Sequence, residues 1–386
     1  MRENKALIIG AGIGGLCIAN FLQLQGWEVT LFEKKSALSE YGAGIVLAAN
    51  AMEVLERLGI AEQVRDAGAK VGVAEIRTWN GHLIAALPTH KLAARYGTYS
   101  YLIHRAALQS ILYRGLTEHA TLKLNMKLTG IEQKEGGVTA RFEDGNKETG
   151  DILIGADGIY SAVRDKLFGH AELRYSGFTA YRGVTSFQDK RYVLEKGGGF
   201  EAWGRGKRFG YSHLGQDRIF WFAAINAPAN QRIPQEQLKE EVLRHFHGWF
   251  DPIEAVVQAT DADAILSHDI FDREPLERWS QGSITLLGDA AHPMLPILGQ
   301  GGAQAMEDAL VLAQCLQGDV DVTRGLRNYE QIRIPRTCRV VRQSRKMGRM
   351  VQLDNPLAIG IRNQILRLMP EQIQMNQLHW LLGTNN

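Results

Sequence analysis

Three short segments of this 386-residue sequence carry residues whose types and spacing could hold an anionic cofactor. They are Gly10-Ala-Gly12-Ile13-Gly14-Gly15, Gly155-Ala-Asp157-Gly158, and Gly288-Asp289-Ala-Ala-His292, the last followed by Pro296 and by Gly299-Gln-Gly301-Gly302. In the first, Gly10 permits a tight turn, Gly12 lets a pyrophosphate approach the backbone, and Gly15 lets a helix lie close to a strand. The free amides and positive dipole end of that helix then face phosphate. Glu33 ends the next apolar strand, where a carboxylate accepts hydrogen bonds from a ribose. An acid at that position favours an unphosphorylated adenosine ribose, as in FAD or NAD.

Other chemistries find little support. Ser161 lies near Asp157 but has no matching base, so a hydrolytic triad is not indicated. His245 and His247, two apart on a helix, point to different faces, and Cys17, Cys315 and Cys338 have no metal spacing, so no metal is expected. Gly204-Arg-Gly-Lys-Arg-Phe-Gly lacks the dinucleotide spacing and a following helix. With one fingerprint only, a nicotinamide cofactor is expected to dock transiently and leave.

The elements that position these residues follow from periodicity. Ala6 to Ile9 reads as a buried parallel strand. Ala51 to Leu58 and His104 to Leu116 read as helices, and Val73 to Leu87 as strands around the Asn80-Gly81 turn. Val138–Phe142 and Gly150–Ile154 are expected to form a hairpin about Asp144-Gly145. Residues 178–226 are strand-rich and aromatic, helix returns at 235–250, and Ser283 to Leu287 is another buried strand. Helices are expected from the glycines at 299–302 towards Leu316, and over 324–349, 357–369 and 372–382. At this length two lobes are expected. The division drawn is a discontinuous cofactor domain of residues 1–75, 101–168 and 271–345, a substrate domain of 76–100 and 169–270, and C-terminal helices over 346–386.

Hydrophobic residues make up 45% and the net charge is +2, a balance that argues against nucleic acid. Three cysteines give no disulfide framework, so a reducing cytoplasm is the simplest setting. The first strand begins within a few residues of Met1, leaving no room for a signal peptide. No run of 18 apolar residues exists, so no membrane span is expected.

The three glycine motifs, with Glu307-Asp308-Ala309, resemble those of the single-component (class A) FAD-dependent aromatic hydroxylases and monooxygenases. Within that family the chain looks closest to the salicylate hydroxylase, urate hydroxylase and zeaxanthin epoxidase types, through Tyr175-Ser-Gly-Phe-Thr-Ala-Tyr181-Arg182-Gly183. The resemblance covers residues 5–345 and implies an α/β fold: a GR2-type Rossmann-like FAD-binding domain, an inserted, mainly antiparallel β-sheet substrate domain, and C-terminal helices. It implies FAD, NADH or NADPH as a transient cosubstrate, and O2, which adds to reduced flavin as a C4a-hydroperoxide that hydroxylates or epoxidises an electron-rich small molecule. The cofactor set is then Gly10, Gly12, Ile13, Gly14, Gly15, Glu33, Lys34, Arg105, Asp157, Gly158, Asp289, Gly299, Gly301 and Gly302. Asp289 can accept from flavin ribityl hydroxyls, and the helix start at 299–302 favours the charge of reduced flavin. Asp157 would repel phosphate directly, so it is expected to bond to backbone amides or through water, with Arg164 organising the turns. Pro296 and Gly301 are candidates for the flavin edge, with no side-chain nucleophile required.

Substrate contacts are expected where the inserted sheet faces the flavin: Tyr181, Arg182, Trp203, Arg205, Arg208, Tyr211, Phe220, Phe222 and Pro296. Strand alternation sends Phe220 and Phe222 to one face and Trp221 to the other. An aromatic face suits a flat apolar substrate, and the arginines suit an anionic or phenolic one. The resemblance leads one to expect a tyrosine near Phe220 in a urate enzyme, and its absence weakens that assignment. His292 is read as a packed histidine before a pocket one. Leu357, Ile361, Ile365 and Leu368 form a stripe expected to pack on the body, with a membrane-surface helix or an access lid as the alternatives. The competing functions are a flavin oxidase or reductase without oxygen insertion and a non-catalytic flavin-binding protein. Halogenation is disfavoured, since no Trp-x-Trp-x-Ile-Pro segment occurs. The partner is a small molecule, and monomer and homodimer are both open.

Overall fold

The computed structural model describes residues 4–38, 43–134, 136–193, 197–318 and 321–383. β1 (Lys5–Ile9), α1 (Ile13–Leu24) and β2 (Glu28–Phe32) form the strand–turn–helix–strand unit. Next come β3 (Gly44–Leu47), α2 (Ala49–Arg57), α3 (Ala61–Ala67), β4 (Ala69–Lys70), and the hairpin of β5 (Val73–Thr78) and β6 (Leu83–Ala86). After α4 (Thr89–Tyr96) come β7 (Tyr101–His104), α5 (Arg105–Arg114) and β8 (Ala120–Lys123). β9 (Leu128–Lys134), β10 (Gly137–Phe142) and β11 (Lys147–Gly150) form a small antiparallel sheet before β12 (Ile152–Gly155) and α6 (Ala162–Phe168).

The aromatic region supplies β13 (Arg174–Ser186), β14 (Gly198–Trp203), β15 (Lys207–Gly215) and β16 (Arg218–Asn226), then α7 (Leu238–Phe246), α8 (Ile253–Gln258) and β17 (Leu266–Asp272). The chain closes with β18 (Ile284–Leu286), α9 (Gly301–Cys315), α10 (Val322–Val351), α11 (Pro356–Leu368) and α12 (Glu371–Leu382).

Five parallel strands in the order β18-β12-β1-β2-β8 form the first sheet. Its middle strands are largely apolar because both faces are covered, one by helices and the other by the small sheet of β9, β10 and β11, where the Phe142 ring lies 4.4 Å from that of Phe32; Ala6, Leu7, Ile8 and Ile152 to Ile154 are fully buried. The order brings the ends of β1, β12 and β18 side by side, although the turns that follow are far apart in sequence. A second sheet of seven strands runs β17-β13-β16-β15-β14-β5-β6, antiparallel except where β14 meets β5. One face of it carries Phe200, Phe209, Tyr211, Trp221 and Tyr181 against Val242, Phe246 and Val256 of α7 and α8. The opposite, inner face carries Phe178, Ala180 and Ala224 against Leu295 and Ile297, and Ile84 and Trp203 against Met347 and Val351. A strap of β3, β7 and β4 lies between the two sheets' working faces.

Two expectations need correction. The arm that pairs with β10 is Lys147–Gly150, whereas Ile152–Gly155 leaves the hairpin and joins the parallel sheet beside β1; the chain changes sheets at Asp151. The stripe on α11 does not pack on the body: Leu357, Ile361, Ile365 and Leu368 are all exposed, and the helix is held through its other side.

Candidate functional site

The first turn is shaped by contacts that exclude a side chain. Gly10 has φ +103°, and a Cβ there would lie 2.5 Å from the Ala156 carbonyl oxygen. A Cβ at Gly15 would lie 2.0 Å from the Gly10 oxygen, so α1 sits against its own turn. At Gly14 a Cβ would meet Leu287 at 2.6 Å, which lets α1 close on the third turn. Gly12, by contrast, faces open space: a Cβ there would have nothing within 4 Å. It begins α1 without a side-chain cap, and Ile13 behind it is buried. That combination of free amides and vacant volume is what a pyrophosphate requires.

Glu33 lies at the rim of this turn. Its carboxylate accepts from the Ala11 amide at 3.1 Å and from the Lys35 amide at 3.0 Å, so it shapes the glycine loop. Lys34 is exposed beside it. Gln109 of α5 donates to the Ala11 carbonyl at 2.7 Å, tying that helix to the turn.

The second turn is organised by Asp157. Its carboxylate accepts from the amides of Ala162 (2.7 Å) and Val163 (3.3 Å) and from the Ser161 hydroxyl, capping α6. Burial pushes the Asp157 carboxyl above its ordinary range, against these hydrogen bonds that lower it. Gly158, with φ +82°, carries the chain away. Arg164 is buried within α6 and reaches the third turn, donating to the carbonyls of Ala290 (3.2 Å), Ala291 (2.9 Å) and Glu274 (3.3 Å). Desolvation, with Arg273 nearby, lowers its pKa to about 10.

A buried polar network holds the third turn from below. Asp308 accepts from the Gly288 amide (3.0 Å), His292 Nε2 (2.5 Å) and Arg333 Nε (2.7 Å). Glu307 accepts from Arg333 (2.6 Å), Arg336 (2.6 Å), Gln304 (3.0 Å) and Asn50. His292 is therefore a packed histidine, its ring against Trp279. Burial alone would raise the Asp308 carboxyl, but His292 and Arg333 outweigh it and hold it down at about 2.

Above this network Asp289 accepts no hydrogen bond from any described residue, although protein encloses it; desolvation pushes its carboxyl up, with His292 and Arg105 pulling the other way. Its side chain still reaches solvent. Gly299 (φ +62°), Gln300 and Gly301 lead into α9 beside it, and a Cβ on Gly301 would lie 3.9 Å from Asp289 Oδ1. The strap β3 closes this side: Val46 faces Gly299, Ile45 faces Gly302, and Gly44 lies under the Phe220 ring. The Arg105 amide bonds to Ala43, and its guanidinium meets no described partner. An open glycine turn, an unpaired enclosed carboxylate and a free arginine together fit a long dinucleotide cofactor.

The inner face of the seven-stranded sheet carries Phe220 and Phe222, with ring centroids 6.3 Å apart, while Trp221 points the other way to Thr260. Phe222 lies across Gly210 of the neighbouring strand. The Arg208 guanidinium sits 5.0 Å from the Phe222 centroid and pairs with Glu201 at 3.3 Å. Arg182 is enclosed by protein yet has no hydrogen bond or ion pair with a described residue; desolvation, then Arg105 and Arg208, lower its pKa. His268, across from Ala180 on β17, faces Arg182 as well.

The structure thus brings Arg182, Arg208, Phe220 and Phe222 to one face with Arg105 and Asp289. Three expected substrate contacts stand elsewhere. Tyr181 and Tyr211 lie on the opposite face, in the core beneath α7 and α8, because their parity along β13 and β15 is that of Trp221. Arg205 is exposed at the tip between β14 and β15. Trp203 is on the inner face but is covered by Arg362 at 4.9 Å, at the α11 end of the sheet. Pro296 is exposed and starts the turn of residues 296–298 next to Leu295 and Ile297, which pack on the inner face. Sequence reasoning missed Arg333, Arg336 and His268; the Glu307-Asp308 pair, acids in an otherwise apolar helix, was the signal for the first two.

Residues 3–344 match the family model described as "FAD binding domain". An aurachin C monooxygenase/isomerase from Stigmatella aurantiaca is 37% identical over 363 residues, covering 94% of each chain. A 3-amino-4-hydroxybenzoate 2-monooxygenase from Streptomyces platensis is 35% identical, covering 98% of this chain and 96% of that one. The crystal structure of Klebsiella pneumoniae HpxO complexed with FAD and uric acid superposes with a TM-score of 0.92 at 28% identity, over 99% of this chain and 98% of the other.

Proposed function

Because the chain belongs to the FAD binding domain family and is an FAD-dependent monooxygenase using NAD(P)H and O2, we propose that it hydroxylates a flat, electron-rich aromatic compound bearing an anionic or phenolic oxygen. The carrying observation is Arg182: a half-buried guanidinium with no hydrogen bond or ion pair to a described residue, with Arg105 and Arg208 as its charged neighbours, Glu201 pairing with Arg208 and Asp289 acting on Arg105. A cation left so in a folded protein costs free energy that an anionic ligand restores. Phe220 and Phe222 supply a face for the ring. The acids named in two relatives, a hydroxybenzoate and uric acid, are likewise flat rings that ionise to anions whose charge lies on oxygen.

Bound FAD supplies the redox chemistry and the activation of O2. In this reading the chain's own residues orient and enclose it. Gly10, Gly12, Ile13, Gly14 and Gly15 take the pyrophosphate, Glu33 and Lys34 flank the adenosine ribose, and Arg105 pairs with a phosphate or ring oxygen. Asp157 and Gly158 shape the middle turn. Asp289 accepts from the ribityl hydroxyls, while the helix start at Gly299, Gly301 and Gly302 favours negative charge on the flavin ring. Pro296 and the strap β3 bound the flavin edge and keep water from it. Residues 76–100 and 169–270 act as the substrate domain, the rest up to 345 as the FAD domain.

The test is NADH and NADPH oxidation by the FAD-loaded protein with a panel of phenols, aromatic acids, purines and quinolones. An aromatic acid or phenol should stimulate oxidation, with less peroxide than NAD(P)H consumed and a product heavier by one oxygen. Stimulation by neutral compounds alone would remove the anionic assignment.

A further inference from the structure

α11 is held by one side and uncovered on the other. On the inner side Arg362 is buried, lies over Trp203 and donates to the Met350 carbonyl at 3.1 Å, while Leu366 joins Ile84 and Val351. Desolvation there lowers the Arg362 pKa to about 10. On the outer side Leu357, Ile361, Ile365 and Leu368 are 79%, 63%, 57% and 71% exposed. Their spacing of four, four and three residues places them on one continuous stripe. Such a stripe in water marks a contact surface.

Charge on the helix that α11 contacts points to the partner. The outward side of α10, which leads into α11 through residues 352–355, carries Arg339, Arg342, Lys346 and Arg349. All four are exposed, and none forms an ion pair with a described residue; Arg339 lies 4.2 Å over the Trp380 ring. Arg367 is exposed on α11 itself. Residues 322–383 hold eleven Lys and Arg against three acids, Glu330, Asp354 and Glu371, in a chain whose net charge is only +2.

We propose that this face seats the enzyme on an anionic lipid bilayer, with the α11 stripe at the boundary between headgroups and acyl chains and the α10 cations on the lipid phosphates. A second copy meeting the same face about a two-fold axis would bring like charges together. A nucleic acid would satisfy the cations and leave four leucine and isoleucine side chains in water. The bilayer satisfies both. No helix among the described residues is long and apolar enough to cross a membrane, so the attachment is peripheral.

The experiment is co-sedimentation of the FAD-loaded full chain with vesicles of phosphatidylcholine alone and of an equal mixture with phosphatidylglycerol, at low and high salt. The protein pellets with the anionic vesicles and is released by salt. Leu357→Gln with Ile361→Gln and Ile365→Gln weakens binding by about tenfold or more, and each of Arg342→Gln and Arg349→Gln by roughly fivefold, with FAD content and turnover kept. The proposal is overturned if anionic vesicles leave the protein in solution, or if both sets of substitutions leave pelleting unchanged. A dimer in solution that the apolar substitutions dissociate, with no vesicle binding, would assign the face to a second copy instead.

Discussion

Arg333 Nε and Asp308 Oδ1 meet at 2.7 Å beneath the third glycine turn, both side chains closed to solvent, and the other Asp308 oxygen holds the Gly288 amide. A residue of α10 thus fixes, through one carboxylate, the backbone on which Asp289 stands. Asp308→Asn breaks a buried pair while leaving the arginine in place, a change that costs about 3 kcal/mol or more. The expected outcome is a lower unfolding midpoint and weaker FAD retention, read by denaturant titration and flavin fluorescence. Unchanged stability would remove the pair from the supports of the turn.

The same carboxylate sets an acid limit. Asp308 titrates at about 2 in the folded chain, against about 3.9 unfolded. A depressed carboxyl contributes stability that is complete above the unfolded value and is lost as the pH falls through the folded one. Wild-type stability therefore declines from about pH 4 towards 2 with a component that Asp308→Asn lacks. Acid titrations of the two proteins that run parallel over this range would contradict the assignment.

Arg164 links the second and third turns through the carbonyl oxygens of Ala290 and Ala291 and also holds that of Glu274. Arg164→Met keeps the bulk but leaves those acceptors unpaired, at about 1–3 kcal/mol. FAD affinity should fall by roughly tenfold in equilibrium titration, while Lys166→Met, on the same helix, leaves it alone.

Gly44 lies beneath Phe220, where an added Cβ would come within 2.8 Å of the ring. Gly44→Ala therefore displaces Phe220 or the strap, not the glycine turns. FAD should remain bound while more of the NAD(P)H consumed appears as peroxide. Equal coupling in the two proteins would detach Phe220 from the reaction.

Arg182 and Arg205 separate a site role from general charge. Arg182→Met should raise KM for an aromatic acid by about tenfold or more, while exposed Arg205→Met leaves it within a factor of two, roughly the scatter of surface substitutions. Equal effects would point to long-range attraction instead of contact.

The glycine turns were legible because backbone geometry dictates them: Gly10 and Gly15 cannot carry a Cβ, so the sequence has no freedom there. The parallel strands were legible because a strand covered on both faces is apolar along its length. The sheet facing was not. Alternation assigns Phe220 and Phe222 one parity and Tyr181 and Tyr211 the other, but both faces of this sheet are covered, and parity says nothing about which cover is the cofactor side. Arg333 and Arg336 were hidden for another reason. In a helix with an arginine at nearly every third position, the two that turn inward look like the rest. The α11 stripe shows the same limit: its pattern was plain, and what it faces is decided by tertiary structure.

The cradle draws its walls from residues 10–15, 155–158 and 288–302, and its latch from 308 and 333. No fragment that ends before Arg333 holds all of them. On the proposed assignment flavin retention reports on the chain through Arg333, and a ligand that binds only this assembled form adds about 2.7 kcal/mol of stability at a hundredfold excess over its Kd. The cofactor so assigned would be a non-covalent cross-link between distant segments of the polypeptide: a nick in a surface loop between the walls would leave the pieces clasped, while loss of flavin would loosen them together.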